Sequence, residues 1–133
     1  IIPLISERTE VKDINYERAK KIVIEATEQS NQLIPPAISK VTKLKNFLES
    51  LDQSTKLLFA DINSKNNLDI KDFKEVKSLC VLIGPEGDFT PKEREIILSK
   101  TNTIPFSLSN NILRADTATI SAISLINFVL SDH

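Results

Sequence analysis

Leu79-Cys80-Val81-Leu82-Ile83-Gly84-Pro85-Glu86-Gly87-Asp88-Phe89-Thr90-Pro91-Lys92-Glu93 is the stretch on which the fold turns. Its first five residues, Leu79–Ile83, are apolar without a break and stop at a glycine. A run of strand length without polar alternation predicts a strand covered on both faces, as in the centre of a parallel sheet. Thr90, with Pro91 behind it and Glu93 three positions on, is a capping box with proline at the first helical position, so a helix is predicted to begin there. The loop between them, Gly84–Asp88, therefore lies at the carboxyl end of a strand, where open α/β sheets place their ligands.

That loop also holds the only two glycines in the chain, against an average usage of about 7%. Turns elsewhere are made with Asn, Asp, Ser and Pro. Gly84 and Gly87 either close a tight turn or serve backbone that needs positive φ or close approach to a ligand. No Gly-Lys-Ser/Thr follows, which excludes a P-loop, and the dinucleotide fingerprint G-x-G-x-x-G is absent. Glu86 and Asp88 argue against an anionic ligand and suit a cationic one.

Working outward, residues 1–6 read as a short strand, with Pro3 at its start or on a sheet edge. From about Asn15 to Gln32 a helix is predicted: Ala19, Ile22, Val23, Ala26 and Ser30 form one stripe, and Pro35-Pro36 ends it. A second helix is predicted from Thr42 as N-cap, burying Leu44, Phe47, Leu48 and Leu51. Lys56–Ala60 reads as a strand, Asp61–Lys71 as a polar loop and Ile104–Leu108 as a strand leading to the polar turn Ser109-Asn110-Asn111. Asp116 caps a last helix reaching Leu130, apolar nearly all round, which predicts enclosure or a subunit interface. Strands alternating with helices predict an α/β fold with a mainly parallel sheet.

The composition narrows the function. The chain has 133 residues, one domain's worth, and 41% hydrophobic with 26% charged residues is ordinary globular usage. No apolar run approaches the ~20 residues that span a bilayer, so no membrane is expected. One cysteine and one histidine, the latter at the last position, leave no His/Cys metal site and no histidine-based nucleophile engine. A lone cysteine fits a reducing compartment, read as the cytoplasm. A net charge of -1 is not that of an independent nucleic-acid binder, so RNA affinity would come from a local patch, a dimer groove or another domain. The chain contains no methionine and opens on an apolar run, which reads as a piece of a longer protein.

A second constellation follows the last strand: Leu108-Ser109-Asn110-Asn111-Ile112-Leu113-Arg114-Ala115-Asp116-Thr117-Ala118. Ile112 and Leu113 can sandwich a flat apolar group, and Arg114 can reach a phosphate or a base. The plainer alternatives are a surface ion pair for Arg114 and a helix cap for Asp116.

Ile83-Gly84-Pro85-Glu86-Gly87-x-Phe89-x-x-x-Glu93, followed by Ile112-Leu113-Arg114-x-Asp116-Thr117-Ala118, resembles the SPOUT-class 16S rRNA (uracil-N3)-methyltransferases, the RsmE family. Pro3-Leu4-Ile5-Ser6-Glu7-Arg8, Val11-Lys12 and Glu25–Ser30 agree in order, so the resemblance covers nearly the whole chain. It implies an α/β domain whose C-terminal segment threads a loop as a trefoil knot, with helices on both faces of the sheet. It implies S-adenosyl-L-methionine bound by three loops, here the end of Lys56–Ala60, then Leu82, Ile83, Gly84, Pro85, Glu86 and Gly87, then Leu108, Ser109, Ile112 and Leu113. The partners it implies are 16S rRNA of the small ribosomal subunit and a second copy of the chain, joined through the C-terminal helix, with no metal. It further implies an N-terminal PUA-like RNA-binding domain and a first strand–helix unit, neither of which is in residues 1–133.

The implied reaction is methylation of uridine N3. That nitrogen is a poor nucleophile until deprotonated, so a base or an anion-stabilising group is needed. Arg114 is assigned to hold the uridine phosphate or stabilise the uracil anion, Asp116 to take the proton, and Glu86 to complement the sulfonium. Against the family pattern, Asp88 stands for a second glycine, Ser109 for a glycine, Asn111 for an arginine and Asp116 for a glutamate. The alternatives are a catalytically silent dimerising remnant that still binds the cofactor, and a knotted tRNA methyltransferase. The Arg114–Ala118 motif speaks against the latter.

Overall fold

The computed structural model describes residues 1–9, 15–31, 33–85, 88–107 and 123. They fall into two compact units, Ile1–Ser50 and Leu51–His133. The architecture is mixed α/β, and among the described residues every strand pairing is parallel.

In the first unit β1 (Leu4–Ile5) pairs with β2 (Thr42–Lys43), Leu4 opposite Thr42. Helix α1 (Tyr16–Gln29) starts at Asn15, whose side chain accepts the Arg18 N–H at 3.1 Å. It ends through Ser30, whose N–H reaches the Ala26 carbonyl, with Asn31 next at φ 58. Asparagine is one of the few residues that tolerate this left-handed position after a helix. Helix α2 (Leu44–Ser50) buries Leu44, Phe47 and Leu48 as expected, with Leu51 just beyond its end. The Tyr16 hydroxyl accepts the Val41 N–H at 2.6 Å, tying the start of α1 to the approach to β2.

Three expectations are corrected in this unit. Thr42 is not the N-cap of α2; it lies in β2 with Lys43, and the helix starts directly after them at Leu44. The inward stripe of α1 is also turned: Thr27 is buried, while Ile22 is 56% exposed. Ala26 and Ser30 are likewise exposed. Thr27 fits inside because its hydroxyl donates to the Val23 carbonyl at 2.7 Å, satisfying the polar group within the helix. The helix also stops at Gln29, short of the expected Gln32.

The second unit is built on a three-stranded parallel sheet, β3 (Thr55–Ala60), β4 (Ser78–Leu82) and β5 (Thr103–Phe106), in the order β4-β3-β5. Among the described strands the middle one is therefore β3, which corrects the expectation of a central Leu79–Ile83: Leu79–Leu82 lie in the outer β4, and Ile83 follows it. Burial agrees: Leu57, Leu58 and Phe59 are all buried, whereas Leu79, Cys80 and Val81 are only half-buried. Alternation then sorts the side chains by face. Leu58 and Phe106 anchor one face with Leu79, Val81 and Ile104, covered by Leu68 and Phe73. Phe73 comes from a 3-10 turn, Ile70–Phe73, capped by Asp69, so the stretch between β3 and β4 is not wholly irregular. The opposite face carries Leu57 and Phe59 towards α3 (Pro91–Ser99), whose Ile97 is fully buried.

Helix α3 begins as the sequence predicts. Thr90 Oγ1 accepts the Glu93 N–H at 3.2 Å, and Glu93 Oε1 accepts the Thr90 N–H at 3.0 Å. Such a box satisfies two otherwise orphaned donors. The Thr103 hydroxyl donates to the Ile97 carbonyl at 2.9 Å and fastens the end of α3 to β5.

Candidate functional site

Because β3, β4 and β5 run parallel, their carboxyl ends share one edge of the sheet. The register places Phe59 opposite Leu82 and Ala60 opposite Phe106, so the three strands end nearly level. Backbone groups released at such an edge are free to meet a ligand. Of the residues expected to bind a cofactor, Leu82, Ile83, Gly84 and Pro85 lie here, with Leu82 buried and the next three half-buried. Glu86, Gly87, Leu108, Ser109, Ile112, Leu113, Arg114 and Asp116 lie outside the described residues, as does nearly all of the expected last helix.

Gly84 serves close approach rather than positive φ. A Cβ there would stand 2.9 Å from Asp88 Oδ1 and 3.3 Å from the Phe89 ring. The Asp88 N–H donates to the Pro85 carbonyl at 2.8 Å, closing the loop over four residues. The left-handed conformation falls on Asp88 itself, at φ 59. Aspartate tolerates that region better than most residues because its short side chain can bond locally. Phe89 then turns inward, 5% exposed, with its ring centroid 5.8 Å from that of Phe59 at a tilt of 53°. The loop after β4 is thus pinned to the strand beside it.

Two residues missed from the sequence complete this edge. Asp61, the first residue beyond β3, is 3% exposed. Its N–H donates to the Phe106 carbonyl at 3.0 Å, extending the ladder to β5. Its carboxylate is gripped by Arg94 of α3, with Nε at 3.1 and 3.2 Å from the two oxygens and a terminal nitrogen at 2.8 Å. Oδ1 also accepts the Asn63 N–H at 3.0 Å, which sets the first turn of the next loop. The Asp61 hydrogen bonds hold the Arg94 guanidinium protonated above its ordinary range, and the charge of Asp88 adds to the effect. The available signal was parity: Asp61 continues the Leu57–Phe59 face, which points at α3.

Beyond β5, the Ser107 N–H donates to the Asn66 carbonyl at 2.9 Å, so the loop after β3 folds against the exit of β5. Cys80, half-buried in β4, has its thiol pushed up by burial. Among the described residues no group of His, Cys, Asp and Glu is arranged to hold a metal, and no helix is long and apolar enough to cross a membrane. Chemically, the edge offers the half-buried backbone of Ile83 and Gly84 over the buried side chains of Leu82 and Phe89, with the carboxylates of Asp61 and Asp88 nearby.

A family model described as an RNA methyltransferase domain matches residues 1–127. A Rickettsia conorii protein named ribosomal RNA small subunit methyltransferase E is 39% identical over 136 aligned residues, covering 100% of this chain and 54% of that protein. A probable rRNA-methyltransferase from Porphyromonas gingivalis shares the fold at a TM-score of 0.79 and 31% identity, covering 95% of this chain and 54% of the other. The ribosomal RNA small subunit methyltransferase E from Neisseria gonorrhoeae, solved bound to S-adenosyl methionine, gives 0.82 and 26% identity, covering 96% and 53%. The chain spans about half the length of these relatives. On a match that runs through both compact units, the chain belongs to the RNA methyltransferase domain family.

Proposed function

We propose that this chain is the cofactor-binding part of an S-adenosylmethionine-dependent rRNA methyltransferase acting on N3 of a uridine in 16S rRNA. The observation that carries the reading is the shared edge: three parallel strands end level, and the loop after one of them is closed tightly around Gly84. It is supported by the fold shared with a solved relative that holds this cofactor.

The residues at the edge fit such a ligand. A nucleoside with a cationic sulfonium asks for backbone donors and acceptors, an apolar surface and no concentration of positive charge. The backbone of Ile83 and Gly84 provides the first, the half-buried Ile83 side chain the second, and Arg94 is already neutralised by Asp61. Asp88 standing in a left-handed conformation keeps the loop in a shape that glycine would otherwise supply, which favours a working pocket over a silent remnant.

When bound, S-adenosylmethionine supplies an electrophilic methyl group. The protein's part is then to orient and to move a proton. Backbone of Leu82–Gly87, the end of β3 and Leu108–Leu113 would hold the cofactor, with Glu86 complementing its positive charge. Arg114 holds the uridine phosphate or stabilises the uracil anion, and Asp116 accepts the N3 proton. Aligning nitrogen and methyl in line is most of the rate gain, since positioning alone is worth about 7–11 kcal/mol in favourable cases. The segment after β5 forms a trefoil knot, and its apolar last helix pairs two copies.

Calorimetric titration with S-adenosylhomocysteine tests the pocket, and one-to-one binding is expected. Methyl transfer to small ribosomal subunits, with the product read at uridine N3, tests the reaction. Arg114→Ala is expected to abolish transfer while leaving cofactor binding in place. Binding without transfer by the unaltered protein would leave only the silent scaffold.

A further inference from the structure

Asp61 and Arg94 are 33 residues apart in sequence, and no step of the proposed chemistry uses them. Their geometry is nonetheless demanding. The Asp61 side chain is 1% exposed and that of Arg94 34%, with three N–H···O contacts between 2.8 and 3.2 Å. Burying a carboxylate is costly, and a packed apolar pair of the same volume is often as stable or more so. What the ion pair adds here is fixed direction, because the guanidinium fork donates to a carboxylate in one plane.

We propose that Asp61 and Arg94 are positioning residues for the cofactor cleft, locking the carboxyl ends of β3 and β5 to α3. This rests on the reading that the sheet edge binds S-adenosylmethionine. Three connections converge on the pair. Through its backbone N–H, Asp61 holds the last residue of β5, Phe106, at 3.0 Å. Through Oδ1 it sets the turn at Asn63. Through Arg94 it reaches α3, whose capping box at Thr90 is continuous with the loop that Gly84 closes. The same guanidinium also feels Asp88, on that loop. A single fork therefore holds the ends of β3 and β5 and the start of α3 in register beside the edge where the nucleoside would lie.

The test compares the unaltered protein with the apolar double variant Asp61→Leu/Arg94→Met and with Arg94→Lys, which keeps the charge and loses the fork. S-adenosylhomocysteine affinity is measured at a temperature where near-UV circular dichroism shows each protein folded, and thermal midpoints are recorded alongside. The double variant is expected to melt within a few degrees of the unaltered protein yet bind about tenfold more weakly or worse, since small misplacements carry large penalties. Arg94→Lys is expected to lose affinity as well, with KM for S-adenosylmethionine rising more than kcat falls. Folded variants that bind as tightly as the unaltered protein would overturn the proposal; if the double variant does not fold, Arg94→Lys decides by the same criterion. An unaltered protein that fails to bind overturns the cofactor reading itself, and the pair's role with it.

Discussion

Replacing Gly84 by alanine probes the close packing of the loop after β4. The backbone there is not left-handed, so alanine is conformationally allowed, but its Cβ would press on Asp88 Oδ1 at 2.9 Å and on the Phe89 ring at 3.3 and 3.4 Å. Phe89 has little room to retreat, being 5% exposed and seated against Phe59. Overfilling a packed site costs about 1–3 kcal/mol, and the stiffer unfolded chain returns about 0.4–1 kcal/mol. A net loss of about 1–2 kcal/mol is expected. With a urea slope of about 1–3 kcal/mol/M, a loss of about 1.5 kcal/mol lowers the unfolding midpoint by about 0.5–1.5 M. Asp88→Gly removes the nearest clashing atom and relieves the left-handed strain, so alone it is neutral or stabilising by up to about 1 kcal/mol. In that background the alanine penalty should shrink by at least about 0.5 kcal/mol, the coupling of residues in contact. Urea titrations of the four proteins close the cycle. Penalties that add within about 0.3 kcal/mol would refute the contact, and a stabilising Gly84→Ala would refute the packing.

Thr90→Ala should lower stability by about 1 kcal/mol in the same titration, because the α3 box loses one of its two reciprocal bonds. Asp52 carries a pH dependence: the Ser54 backbone N–H, then its hydroxyl, hold the carboxyl below its ordinary value of 3.8. A depressed acid stabilises above the unfolded value and loses that contribution as pH falls through the folded one, so the stability gap to Asp52→Ala should be full near neutrality and close in strong acid. Cys80, its thiol pushed up mainly by burial, should react with iodoacetamide far more slowly in the native protein than in urea at the same pH, measured by mass spectrometry.

What was legible in the sequence was local. The apolar run 79–83 and the box at Thr90 each declare their structure within a few residues: the helix starts where expected, and the strand forms one residue early, at Ser78–Leu82, though half-buried rather than enclosed. Strand order was not legible, since Leu57–Phe59 and Leu79–Ile83 are equally apolar and only non-local pairing puts β3 between β4 and β5. β2 escaped notice because two residues leave no period to read. On α1, hydrophobicity pointed to Ile22, whereas Thr27 takes the inward place by bonding its own helix. At the site, the loop around Gly84 was found through glycine scarcity, while Asp61 reads only as the start of a polar loop and nothing local singles out Arg94 until the fold brings the two together.

The order β4-β3-β5 has a consequence for biosynthesis. β3 is made first and holds three consecutive buried side chains, yet both of its neighbours are encoded downstream. At roughly 5–20 residues per second, the chain from Ala60 to Phe106 takes about 2–9 s to emerge, during which that apolar ribbon has an unpaired border. Exposed strands of this kind attract other nascent chains. The basic and acidic residues crowded just after it, from Asp61 to Lys77, are suited to keeping the waiting segment dissolved until its second neighbour arrives.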